Sequence, residues 1–214
     1  MKIRTTEQLL EKIDTDFAWR RKELSVIFGN AKSTKEPLQS TALRVGIALL
    51  YAHWEGFIKY ASEMYLEFVA SQKLRYCDLN HSFIALAFRK ELIECEETNK
   101  STIHNKTVKF LLESMEERAQ IPCQGVIKTK SNLNSEILKE ITATIDLDFT
   151  PYELKCNLID AELLKYRNEV AHGQYVNVNL SDFETLYNEV TGMLNLFKNQ
   201  IQNAAITKSF LKVS

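Results

Sequence analysis

The stretch from Pro37 to Gln72 constrains the fold more than any other part of the chain. Leu43, Ile47, Leu50, Trp54, Phe57, Ile58, Ala61, Tyr65 and Phe68 recur through it at helical spacing. Pro37 suits a helix start, where its missing N–H costs nothing. A helix with so wide an apolar face belongs at the centre of a bundle. The 214 residues include only 6 Gly and 3 Pro, which leaves little material for hairpin turns and favours long helices. The expected fold class is all-α: a bundle of six or seven helices forming one domain over residues 1–214, with an elaboration around 120–134.

Periodicity predicts the neighbours of that central helix. A first helix begins after Thr5 or Thr6, with Glu7 and Gln8 in range of a capping box. It carries Leu9, Leu10, Ile13, Phe17, Leu24 and Phe28 to a stop at Gly29-Asn30. Residues 77–98 read as a third helix, capped by Asp78 or Asn80, and residues 103–119 as a fourth. Pro122 and Gly125 then break the pattern. Val126-Ile127 suits a short extended piece, and Lys128 and Lys130 make a small basic spot, either solvated surface or a phosphate contact. Further helices are expected from the caps at Ser131–Asn134 to Ile145, and from Pro151 through Tyr166 to a stop at Gly173. After a connector at 174–180, the capping-box pattern Ser181-Asp182-Phe183-Glu184 opens the last helix. Gly56, inside the central helix, costs about 1 kcal/mol relative to Ala, and close approach of a neighbouring helix would offset it.

Charge and cysteine usage exclude some functions. The net charge is −1, so contact with nucleic acid has to come from a local cluster. Cys77, Cys95, Cys123 and Cys156 are scattered, with no C-x-x-C pair or Cys/His cluster, so no metal site is expected. No cofactor is expected either. The N-terminus lacks an apolar signal core, and no uncharged apolar run approaches the roughly 20 residues of a membrane span. The expected location is the cytoplasm, with no membrane contact.

The chemistry-bearing stretch is Tyr166-Arg167-Asn168-Glu169-Val170-Ala171-His172-Gly173, at the end of the next-to-last long helix. Arginine presents a planar, permanently charged fork that matches phosphate. Histidine exchanges a proton near neutral pH. Together they are the minimum set for cleaving a phosphodiester without metal. The competing reading is a solvated Arg, a helix-stopping Gly and a His placed where a helix C-terminus favours positive charge. On an ideal helix, residues five apart differ by about 140° in direction. Arg167 and His172 therefore converge only if the helix end unwinds or if the cleft spans two copies of the chain.

Arg167-Asn168 followed by His172 resembles the R-x4-6-H signature of HEPN domains. Two further blocks, His53-Trp54-Glu55-Gly56-Phe57-Ile58-Lys59 and Asn132-Leu133-Asn134-Ser135-Glu136-Ile137-Leu138, occur in order before it. With the Leu163–Gly173 segment they resemble one branch, the MAE_28990/MAE_18760-like HEPN nucleases. The resemblance implies an all-α bundle and a homodimer that brings two motifs to one cleft. It also implies metal-independent endoribonuclease activity in a toxin or defence setting, with RNA as substrate and an antitoxin or defence protein as possible partner. Arg167, Asn168 and His172 are then the candidate catalytic residues: His172 as base or acid, Arg167 as electrostatic clamp, and Asn168 holding the phosphate or orienting the His. Glu55, His53, Lys59 and Tyr175 are possible supporting residues. Tyr175 falls one residue beyond the R-x4-H-x-Y spacing of a related HEPN group whose tyrosine is adenylylated. Two other functions remain open: a non-catalytic HEPN interaction module and a nucleotide-binding accessory domain.

Overall fold

The computed structural model describes residues 3–212. They form an all-α bundle: α1 (Thr6–Ser33), α2 (Leu38–Ser71), α3 (His81–Ala87), α4 (Arg89–Glu96), α5 (Ser101–Glu113), α6 (Ser135–Thr144), α7 (Lys165–Ala171) and α8 (Leu180–Thr207). Short 3₁₀ turns lie at Tyr76–Asp78 and Thr150–Lys155, and a π-helical stretch at Leu158–Leu164 runs into α7. None of these helices is long and apolar enough to cross a membrane.

The central position expected of the Pro37–Gln72 helix is observed. α2 has 34 residues, a length of about 51 Å, and it packs against α1, α7 and α8. Leu50, Trp54, Phe57, Ile58, Ala61 and Tyr65 are fully buried along it. Fully burying one such apolar side chain stabilises by about 1.5–3 kcal/mol, so this helix anchors the core. The first-helix capping box is present: the Thr5 hydroxyl accepts from the Gln8 N–H, and the Gln8 side chain accepts from the Thr5 N–H.

Some boundaries differ from those read in the sequence. α1 runs past Gly29-Asn30 to Ser33, because Ala31 is fully buried and the Thr34 N–H and hydroxyl both donate to the Asn30 carbonyl. The third expected helix is broken at Phe88, whose ring turns inward between Tyr76 and Phe110 at 4.9 and 4.8 Å. The next helix ends at Glu113 instead of reaching Ala119. Val126-Ile127 forms no strand. The last helix is capped by Asn179, which accepts from the Asp182 N–H, two residues before the expected cap at Ser181.

Gly56 does not mark a close helix crossing. A Cβ there would meet the Arg20 guanidinium at 2.8 Å, so this glycine makes room for a side chain of α1. The tight approach lies at Gly46, where a Cβ would stand 2.6 Å from the Phe183 ring.

Candidate functional site

Three stretches distant in sequence converge on the Tyr51 side of α2. Tyr51, 3 % exposed, lies under the Arg167 guanidinium, which sits 4.0 Å above its ring. Its hydroxyl accepts from the Leu133 N–H at 2.6 Å. Burial pushes the phenol up to about 12, against the opposing pull of the Arg167 charge, so Tyr51 is a neutral, polarisable platform.

Arg167 is held on its other sides as well. Its Nη1 donates to the Asn168 Oδ1 at 2.7 Å, and its Nη2 donates to the Ser131 carbonyl. The Glu55 carboxylate lies 3.8 Å from Nη2, both side chains being about one-fifth exposed. Arg167 Nε is buried without a hydrogen-bond partner among the described residues.

The Ser131 carbonyl is aimed by an unusual turn. Lys130 and Ser131 have φ of 53° and 56°, and the Asn132 N–H donates to the Thr129 carbonyl at 3.0 Å. Two left-handed central residues closed by that bond define a type I′ turn, which normally takes Gly or Asn. Each ordinary residue held there costs about 1–2 kcal/mol. Downstream, Asn134 caps α6, and Ser135 binds Asp160 of the π stretch through its N–H and hydroxyl. The 131–135 segment thus ties α2 to the helix that delivers Arg167.

The motif helix does not unwind before its histidine. His172 N–H donates to the Asn168 carbonyl at 2.9 Å; Gly173 and Gln174 N–H groups then close back on Val170 and Glu169 at 3.1 and 2.8 Å. With Gly173 at φ 73°, this is a Schellman end. Helical geometry up to Ala171 leaves Arg167 and His172 about 140° apart in direction. Arg167 faces the cradle, while His172 is exposed and its ring has no hydrogen-bond partner among the described residues.

The other expected site residues are distributed as follows. Glu55 belongs to the cradle. Lys59 lies one turn further along α2 and is exposed. His53, two residues before Glu55, faces α1: its ring packs 5.3 Å from Trp19, and the Glu23 carboxylate lies 2.7 Å from Nε2. The structure does not bring His53 to Arg167. Tyr175 is 73 % exposed, its ring 5.7 Å from the Arg44 guanidinium, which also reaches the Gln174 carbonyl at 3.5 Å. Tyr51, Arg44 and Ser131 were not singled out from the sequence. A signal for two of them existed: Arg44, Tyr51 and Glu55 follow one another at steps of seven and four, so they share one stripe of α2.

A family model, RiboL-PSP-HEPN, matches residues 15–203. The chain belongs to the RiboL-PSP-HEPN family. The match covers α2, the middle segment, the Arg167–His172 stretch and most of α8. It does not single out the narrower HEPN branch that the three blocks resemble. No curated protein and no solved structure matches the chain. Membership in a HEPN family points to ribonuclease or nucleotide-binding function, to RNA binding and to dimerisation in general. Among the described residues of this HEPN chain, no three His, Cys, Asp or Glu side chains gather into a possible metal set.

Proposed function

We propose that this protein is a metal-independent endoribonuclease, a toxin or defence effector, with a site composed across a homodimer. The carrying observation is the pairing, within one short stretch, of a preorganised Arg167 with an exposed His172 whose ring has no hydrogen-bond partner among the described residues. Cleavage requires a base for the ribose 2′-hydroxyl, an acid for the departing 5′-oxygen and a cation for the negative charge that builds on the phosphoryl oxygens. The 2′-oxygen attacks phosphorus as one imidazole takes its proton. The P–O5′ bond breaks as a second, protonated imidazole gives a proton to the leaving oxygen. The products are a 2′,3′-cyclic phosphate and a 5′-hydroxyl.

One His172 per chain cannot fill both proton roles at once, and within one chain it diverges from Arg167. A two-fold dimer supplies two of each. Purified protein should cleave total RNA in EDTA, and Arg167→Ala and His172→Ala should each abolish cleavage. Undiminished cleavage by both variants removes the motif from the mechanism.

A second reading is favoured by one observation: both Nη groups of Arg167 are already engaged, by Asn168 and by Ser131, with Glu55 close by. In that reading Arg167 is a structural tie and the chain is a non-catalytic HEPN interaction module in a defence complex. It predicts no cleavage and a stable complex with a neighbouring gene product.

A further inference from the structure

The turn that presents Ser131 to Arg167 also borders a second feature. The 126–130 segment, α3 and α6 enclose an open groove of about 580 Å³. Its floor includes the buried side chains of Leu86 and Ile127. Arg89, Lys128 and Lys130 line it together with His81, against one carboxylate, Glu140. All five of these side chains belong to exposed residues. Among the described residues no carboxylate pairs with Arg89, Lys128 or Lys130, and Glu140 is the one carboxylate that faces them across the groove. In a chain of net charge −1, three unpaired cations along one groove are a local excess.

We propose that this groove holds the sugar–phosphate backbone of the RNA strand beyond the scissile phosphate. The proposal rests on the reading of the Arg167–His172 stretch as a site that acts on RNA. Lys130 and Ser131 are consecutive, so one peptide unit joins the groove to the cradle. Spaced cations along an open channel suit a threaded polyanion, because nothing buried gathers them around a compact one. No Phe, Tyr or Trp is among the described residues that line the groove, so its grip is on phosphates alone, which carry no sequence information, and binding is sequence-tolerant.

The test uses the full chain carrying His172→Ala, so that bound RNA is not consumed. Fluorescence anisotropy of a short labelled single-stranded RNA is measured between about 50 and 200 mM salt. Each lost phosphate contact lowers the slope of log affinity against log salt by about 0.7. Lys128→Gln with Lys130→Gln should lower it by about 1.4 and weaken binding about tenfold. Arg89→Gln, on α4, should add a further loss that no disturbance of the 129–132 turn explains. Lys12→Gln with Lys22→Gln on α1 removes equal charge and should change affinity by less than about twofold. Unchanged affinity and slope in the groove variants, or an equal loss in the α1 control, overturns the proposal. Wild-type cleavage with groove variants that bind normally overturns the groove alone. Groove-dependent binding without wild-type cleavage overturns the nuclease reading alone.

Discussion

Arg167 combines roles that a lysine cannot copy. Its plane lies on Tyr51 while its two Nη groups reach Asn168 and Ser131. A lysine ammonium keeps the charge but loses the fork and the stacking. Arg167→Lys should therefore lower single-turnover RNA cleavage by about 10²–10³-fold, the range for losing one preorganised charge-stabilising donor. At the helix end, nothing stands within 4 Å of a Cβ placed on Gly173, so the cost of Gly173→Ala is backbone strain alone. Urea unfolding should show a loss of about 1–2 kcal/mol, most of it recovered by Gly173→Asn, which tolerates the left-handed conformation. His53 supplies a pH dependence. Burial, the largest influence, holds its pKa below the ordinary 6.5, while Glu23 acts in the opposite sense. The folded state thus favours the neutral imidazole, and the unfolded chain takes up a proton first as the pH drops. The stabilisation is present above about pH 6.5 and is lost as pH falls through the depressed folded pKa. Urea midpoints measured at falling pH should decline more steeply for wild type than for His53→Gln.

At the scale of elements, the two glycines of α2 do different jobs. Gly46 admits the fully buried Phe183 ring of α8, and a methyl group would intrude on aromatic carbon at 2.6 Å. Gly46→Ala should destabilise by about 1–3 kcal/mol through overpacking. Gly56 faces the tip of Arg20, which Asp16 and Trp19 hold in place. There the helix-propensity gain of about 1 kcal/mol from Ala offsets the displacement of a flexible guanidinium. Gly56→Ala should be near neutral, and parallel urea titrations of the two variants would show the contrast. The π stretch at Leu158–Leu164 belongs to the same scale. It carries Asp160, which binds Ser135, and leads directly into α7, so it couples the middle segment to the helix holding Arg167.

For the whole molecule, the question is how an exposed His172 meets a half-buried Arg167 from which it diverges. A cleft that takes its base from one copy's His172 and its acid from the other copy's makes a specific prediction. A dimer of one wild-type copy and one His172→Ala copy keeps a single His172 and should not cleave. After mixing and subunit exchange with increasing amounts of His172→Ala protein, cleavage should therefore fall as the square of the wild-type fraction. A fall in simple proportion to the wild-type fraction would show that one His172 suffices for each cleavage and would overturn the shared cleft.

Much of the architecture was legible because helical periodicity is local. The central helix, the Thr5–Gln8 cap and the Gly173 stop each follow from residues within a few turns of one another. The break at Phe88, the run of α1 past Gly29 and the cap at Asn179 were not legible, since partners distant in sequence or competing local caps decide them. The motif residues themselves were visible as residue types at a spacing. Their arrangement was not: Tyr51 as a platform, the Ser131 carbonyl aimed by a strained turn, and His53 turned toward α1 depend on how α1, α2, α7 and the 129–135 segment pack. The sequence by itself determined an all-α chain with an Arg and a His at a helix end. Only the tertiary structure decided that Arg167 is half-buried in a cradle while His172 is left outside, because the Schellman end keeps that helix wound through Ala171.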